Sequence, residues 1–274
     1  MNRITKDVCG AVDFLRTAVP LVHNITNYVT VNDCANALLA IGASPIMADD
    51  MEEAADITSI SSALVINIGT LNQRTIASML AAGKRANERG IPVVLDPVGA
   101  GASRLRNETV RKILEQVKIA VLRGNISEVS FVAGLDVSTK GVDASDSDAK
   151  HDAVSVAKTV AEQLGCTAAV TGAVDVISDG KRTAEIRNGH PMLGRVTGTG
   201  CMTSALVGAF AGACGDCFTA AVSGIAAMGI AGEIAFEQAG SAGTGSFHIA
   251  VIDALSRLDG KLVERMAKID ETQD

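Results

Sequence analysis

Two periodicities take turns along this chain. Residues 72–89 put Ile76, Met79 and Leu80 on one side and Lys84, Arg85, Glu88 and Arg89 on the other. That is the three-to-four spacing of an amphipathic helix, and Gly90 is a stop signal. Just ahead, residues 63–69 run Ala-Leu-Val-Ile-Asn-Ile-Gly, almost continuously apolar over a length short for a helix. A strand buried on both faces has this pattern. The same alternation predicts helices over 5–17, 28–41 (closed by Gly42), 51–62, 103–117, 126–134 and 149–164. Strands are predicted over 19–25, 45–48, 91–95, 119–122 and 167–172, and two short ones meet at Asp179-Gly180, a hairpin signal. The last third reads as almost entirely helical, with an apolar helix over 202–213, while residues 136–149, rich in Asp, Ser and Gly, read as an exposed loop.

Strand followed by helix, repeated, predicts an α/β fold: a central, mostly parallel sheet with helices on both faces. No internal repeat or shift of composition divides the chain, so residues 1–274 are expected to form one domain. In such sheets ligands bind beyond the carboxyl ends of the strands. The residues there are Asn24–Asn27, Met47-Ala48-Asp49, Gly69-Thr70, Asp96-Pro97-Val98-Gly99, Arg123-Gly124-Asn125 and Thr171-Gly172.

Composition narrows the partners. The net charge is −7, with no Trp, one Tyr and six Phe. A nucleic-acid binder wants a basic stripe and, for single strands, aromatic platforms, so nucleic acid is not expected. The first residues lack the apolar run of a signal peptide. The apolar region from Cys201 to Gly232 is divided by Asp216, leaving pieces shorter than the ~20 residues that span a bilayer. Core helices, no membrane and a cytoplasmic location are expected. The six cysteines read as free thiols. Cys214-Gly-Asp-Cys217 is formally a C-x-x-C pair, but no second pair or nearby His completes four metal ligands. It reads as core cysteines within an apolar helical stretch.

Three stretches carry candidate chemistry. Gly198-Thr199-Gly200-Cys201 opens the apolar helix. Glycines let backbone approach a ligand, and the first-turn N–H groups with the helix dipole form an anion site; the same residues also suit a plain Gly-rich turn. Cys201 at a helix start is expected to have a lowered thiol pKa, and to act as a base toward a hydroxyl or simply to touch it. Asp96-Pro97-Val98-Gly99 offers a carboxylate for Mg²⁺ or the phosphate side, or a residue that organises a Pro turn. Asn125 and Glu128, three apart, match a capping box; functionally, Glu128 would sit near a magnesium-bound phosphate and Arg123 on nucleotide phosphates. Thr171-Gly172 could bond a nucleotide, and Asn27 and Met47 lie on the ligand rim. His23 and His248 read as structural. The Gly-x-Gly-x-x-Gly fingerprint of dehydrogenases and the P-loop are both absent.

In this order the stretches resemble the ribokinase superfamily, and within it the hydroxyethylthiazole kinase family. The segments carrying the resemblance are VHNITNYVTVNDCANALLAIGASPIMADD (22–50), NIGTLN (67–72), VVLDPVGAGASRLR (93–106), LRGNISEV (122–129), VTGAVDVISDG (170–180) and GTGCMTSALVGAF (198–210). The resemblance implies ATP and Mg²⁺ and phosphorylation of 4-methyl-5-(2-hydroxyethyl)thiazole in thiamine salvage. It implies Arg123, Thr171, Gly172 and Asn125 on ATP, and Met47, Gly198, Asn27 and Gly69 on the thiazole alcohol. Asp96 and Glu128 would lie beside the magnesium-bound phosphates, and Gly198, Thr199, Gly200 and Cys201 at the reacting centre. The superfamily usually has Asp where Cys201 stands, and the thiazole kinases are the branch similar to this sequence there. A homotrimer with active sites between subunits is implied as well. The alternatives are a ribokinase-fold enzyme acting on another small alcohol or a hydrated cofactor, and a non-catalytic nucleotide-binding regulator.

Overall fold

In strand β3 (Ala63–Asn67) every residue is buried, and successive side chains enter different cores. Val65 packs on one side, Leu64 and Ile66 on the other, the two-residue period of a strand covered on both faces. Strand β4 (Val93–Asp96) repeats this, with Val94 opposed to Val93 and Leu95. The computed structural model describes residues 1–134 and 146–273; the loop expected over 136–149 lies largely outside them.

The other strands are β1 (Leu21–Ile25), β2 (Ser44–Ile46), β5 (Val121–Asn125), β6 (Thr167–Thr171), β7 (Asp175–Ser178), β8 (Arg182–Ile186) and β9 (Ile269–Gln273). Among the described residues they form one sheet in the order β2-β1-β3-β4-β5-β6-β7-β8-β9. The strands from β2 to β6 are parallel, and β7, β8 and β9 follow as antiparallel neighbours. The mostly parallel sheet and the hairpin at Asp179-Gly180 are as the sequence predicts.

One face is covered by α3 (Ala54–Ile60), α4 (Gln73–Arg89), α5 (Arg104–Gln116), α6 (Ile126–Val132) and α7 (Asp146–Leu164). The opposite face carries α1 (Arg3–Ala18), α2 (Val31–Ile41), α8 (Thr199–Ala213), α9 (Cys217–Ala239), α10 (Thr244–Arg257) and α11 (Gly260–Met266). Helix α8 is buried nearly all round, and glycine sets how closely it is approached. A Cβ on Gly224 of α9 would lie 2.6 Å from the Val207 nitrogen of α8. Helix α9 is long and apolar enough to cross a bilayer by composition, yet most of that stretch is buried inside the protein, where a core helix belongs.

Three expectations are corrected. The last third, expected to be almost entirely helical, also carries a strand at its end, because β9 pairs with β8, Ile269 opposite Ile186. Its sequence, Ile-Asp-Glu-Thr-Gln, has one apolar residue because an edge strand needs little burial. Arg123, Gly124 and Asn125 lie within β5 rather than after it, each opposite a residue of β6. Cys214 and Cys217 sit at the break between α8 and α9, not within one continuous helix: Cys214 is the C-cap of α8, Cys217 is the first residue of α9, and the Asp216 side chain caps α9 by accepting the Thr219 N–H.

Candidate active site

Asp96 ends β4 with only 1% of its surface exposed. Its Oδ2 accepts from Ser204 Oγ of α8 at 2.7 Å and from Asn67 Nδ2 at 3.0 Å, and Arg123 Nη1 lies 3.7 Å away. Its Oδ1 is buried without a hydrogen-bond partner. Burial pushes Asp96 up to about 6, aided by the nearby charge of Glu128 and opposed by Arg123, Ser204 and Asn67.

Gly198 caps α8 in the left-handed region, φ 95°, and a Cβ there would meet Thr30 Cγ2 at 2.9 Å. Glycine is required for both reasons. The first intrahelical bond is Met202 N–H to Gly198 O, 2.8 Å, so the amides ahead of it point past the helix start. The Thr199 hydroxyl is occupied, donating to Leu193 O at 3.0 Å. Arg123 Nη1 donates to Gly200 O at 3.3 Å, tying the β5 arginine to this turn.

Cys201 is half-buried, and Asn67 Nδ2 lies 3.3 Å from its Sγ. The thiol pKa is raised, opposite to the sequence expectation. Burial is the largest cause and the Asp96 carboxylate the next, and together they outweigh hydrogen bonds from Thr30 and Asn67 and the charge of Arg123. Cys201 is therefore a neutral thiol near neutral pH.

Asn125 and Glu128 form the capping box of α6. The Asn125 side chain accepts the Glu128 N–H at 3.0 Å, and Glu128 Oε2 accepts the Asn125 N–H at 2.9 Å. Glu128 Oε1 accepts the Gly99 N–H at 2.8 Å, which joins the turn after β4 to α6. On the rim, the Asn27 amide fills the space a Gly69 side chain would need, 2.4 Å from the Cβ position. Gly69 N–H donates to Asn67 Oδ1 at 2.9 Å. Met47 and Cys201 are both half-buried against the same apolar cluster.

A cavity of about 520 Å³ opens beside this centre, walled by Arg123, Thr171, Gly172, Asp175, Asn188 and His190 and bounded by Thr199 and Gly200 of the α8 turn. Arg123, Thr171 and Gly172 of the sequence expectation thus meet in one cavity. Asn125 is not among its lining residues. Asp175 is pushed up to about 6 by burial, and the His190 ring stacks on Phe236 with centroids 3.5 Å apart.

The two histidines that the sequence reads as structural lie against structural partners. His23 is buried, with Nε2 2.7 Å from Ala48 O and Nδ1 2.9 Å from Thr58 Oγ1, and burial lowers its pKa. His248 Nε2 lies 3.0 Å from Asp33 Oδ1. Sequence reasoning missed Asn67 and Ser204, which hold Asp96. The available signal for Asn67 was its place as the one polar residue within an apolar strand.

The geometry suits phosphoryl-transfer chemistry: a helix start whose first amides have no intrahelical partner, an arginine bonded to it, and a buried carboxylate oxygen without a hydrogen-bond partner, next to a cavity of about 520 Å³. The profile of the hydroxyethylthiazole kinase family matches residues 12–261. A hydroxyethylthiazole kinase from Ruminiclostridium cellulolyticum is 64% identical over 272 residues, covering 99% of this chain and 100% of the relative. The structure of a hydroxyethylthiazole kinase protein from Pyrococcus horikoshii OT3 superposes with a TM-score of 0.89 at 42% identity, covering 97% of this chain and 99% of that one. A ribokinase-like superfamily protein from Enterococcus faecalis has a TM-score of 0.63 at 9% identity, covering 89% of each chain, and shares the fold.

Proposed function

The chain belongs to the hydroxyethylthiazole kinase family, and from that premise we propose that it transfers the γ-phosphoryl group of ATP to the hydroxyl of 4-methyl-5-(2-hydroxyethyl)thiazole, a step of thiamine salvage. The observation that carries the reading is Asn67 joining Asp96 to Cys201 where α8 begins, beside the cavity lined by Arg123.

ATP occupies that cavity, with Arg123, Thr171 and Gly172 against the nucleotide and the Gly198–Cys201 amides facing the transferring phosphoryl group. Asn125 acts from the adjoining end of β5. The thiazole alcohol lies on the other side, among Asn27, Met47, Gly69 and Gly198, with its hydroxyl at Cys201. The hydroxyl oxygen bonds to the γ-phosphorus as the bond to the β-phosphate oxygen breaks, ADP leaves, and the hydroxyl proton is released.

The donor set fits Mg²⁺. Asp96 keeps a buried oxygen without a protein partner, and Glu128 lies close enough to raise its pKa. Among the described residues no group of three or more His, Cys, Asp or Glu could hold a metal. That suits an ion carried largely by nucleotide phosphates and water, with one or two carboxylates. When bound, Mg²⁺ supplies charge neutralisation on the phosphates. The chain's own part is orientation: Arg123 fixes the α8 turn, Asn67 holds Asp96, and the raised Cys201 thiol contacts the hydroxyl without being ionised. Phosphoryl transfer has a loose transition state in which little proton removal is needed early, so positioning dominates.

Exposed apolar residues on the α2 and α10 side of the molecule support a homotrimer with active sites between subunits. Tyr28 is 76% exposed, Leu39 of α2 60% and Ile249 of α10 63%, and α2 packs against α10. Light scattering would test it, and a fully active dilute monomer would sink it. The reading also places the enzyme in the cytoplasm.

The decisive assay is ADP release from Mg-ATP with and without the thiazole alcohol, the phosphate ester being confirmed by mass. Thiazole-dependent release is expected at micromolar substrate. ATP binding without it would retain the nucleotide site and remove the substrate.

A further inference from the structure

Arg106, in the first turn of α5, sends its guanidinium away from its own helix into two turns of the sheet's ligand rim. Nη1 donates to Ile68 O at 2.7 Å and to Val98 O at 2.5 Å, and Nη2 donates to Gly69 O at 2.7 Å. Ile68 and Gly69 follow β3, and Val98 follows β4. One planar group thus fastens the turn assigned to the thiazole alcohol to the turn assigned to the phosphates. The Gly99 backbone leaves just enough room, since a Cβ there would meet Arg106 Cδ at 3.2 Å.

The bonds close a circuit. Gly69 N–H donates to Asn67 Oδ1, and Asn67 Nδ2 reaches both Asp96 and Cys201. On the far side, the Gly99 N–H donates to Glu128 Oε1. Glu128 is therefore two hydrogen bonds from Arg106, through Val98-Gly99, and Asp96 and Cys201 are three, through Gly69 and Asn67. The side chain does not line the nucleotide cavity.

We propose that Arg106 is a positioning residue that fixes the separation of the β3 and β4 turns, and so aligns the acceptor hydroxyl with the γ-phosphoryl group. The proposal rests on the thiazole-kinase reading. A rigid five-donor fork can hold three carbonyls in one plane, whereas an ammonium on a flexible stem cannot reproduce that geometry. The small misplacement that follows its loss falls on turnover, because a shift of about 1 Å in a reacting pair costs on the order of 100-fold.

The test is steady-state kinetics of R106A and R106K beside the parent, with ATP affinity measured by calorimetry. R106A is expected to lose about 30–300-fold in kcat and to raise KM for the thiazole, while its ATP affinity stays within about 3-fold of the parent's. R106K recovers part of kcat, and guanidinium ion added to R106A at tens of millimolar restores part of it. If R106A does not fold, R106K carries the test alone through the same split between kcat and ATP affinity. Unchanged kcat in a folded variant overturns the proposal, as does an equal fall in kcat and ATP affinity. A parent with no thiazole-dependent ADP release removes the substrate reading instead, which keeps the two failures apart.

Discussion

Asn67 stands between Asp96 and Cys201, its single side-chain nitrogen 3.0 Å from one and 3.3 Å from the other. It is 1% exposed, so water cannot take its place readily. N67A leaves Asp96 short of a donor in a buried setting, which costs about 1–3 kcal/mol. Turnover is expected to fall by roughly 10–100-fold, with a lower melting temperature. Wild-type kcat in N67A would mean that the bridge does not align the site.

Cys201 meets the test of a base by substitution. Its pKa is raised by burial and by Asp96, so little thiolate exists at neutral pH. C201A is expected to lose less than about 100-fold in turnover, whereas a lost general base costs about 10²–10⁴. C201D should remain active. Complete loss in C201A with ATP binding intact would make the thiol an obligatory base after all.

At Gly198 the backbone, not the side chain, is at stake. G198A forces φ 95° on a residue with a Cβ that lies 2.9 Å from Thr30 Cγ2, a strain of ~1–2 kcal/mol before the contact is counted. The amides at the start of α8 then turn from the phosphoryl position. A fall of at least 10-fold in kcat is expected, read by the coupled ADP assay.

Asp175 gives a pH signature. Its carboxyl titrates at about 6 in the folded chain against 3.8 ordinarily, burial being the cause. The fold therefore favours the protonated acid. Stability is lost as pH rises from the unfolded value through the folded one, and the loss is complete above it. D175N removes the charge and keeps an oxygen for the Gly172 N–H, which Asp175 Oδ1 now accepts at 2.9 Å. Its melting temperature should exceed the parent's at about pH 8 and match it near pH 4. The reverse trend would contradict a raised pKa.

The contact of α8 with α9 answers to one methyl group. In G224A the new Cβ falls 2.6 Å from the Val207 nitrogen, which belongs to helix backbone and cannot swing aside. Overpacking of this kind costs about 1–3 kcal/mol, so the melting temperature should drop by roughly 2–10 °C. An unchanged melt would show that the helices can slide apart freely.

Much of this molecule is legible in its residues, for reasons that differ from place to place. Helix α4 announces itself because its outer face is charged, and β3 because burial on both faces leaves it almost no polar residue. Strand β9 is silent: at an edge only Ile269 needs burial, and four polar residues follow. The site residues near glycines, such as Gly198 and Cys201, stand out locally. The direction of the Cys201 pKa does not, since it depends on Asp96 from a distant strand and on burial by the whole fold. Asn125 and Glu128 suited both a cap and a phosphate site on paper, and the capping box is present in full.

The two faces of the sheet belong to different stretches of the polypeptide, and that gives the ribosome a schedule to keep. Helices α3–α7 clothe one face as each strand emerges, but α8–α11, which clothe most of the other, are made after β8. Until then Val65, Val94 and Val121 have no α8 to lie against. At 5–20 residues per second, the roughly 80 residues from β8 to β9 take on the order of 4–16 s to synthesise. Over those seconds eight of the nine strands exist while the later helices of one face are still arriving, with only α1 and α2 in place on it from the start, the period in which the chain is most open to chaperones and to sticking to its neighbours.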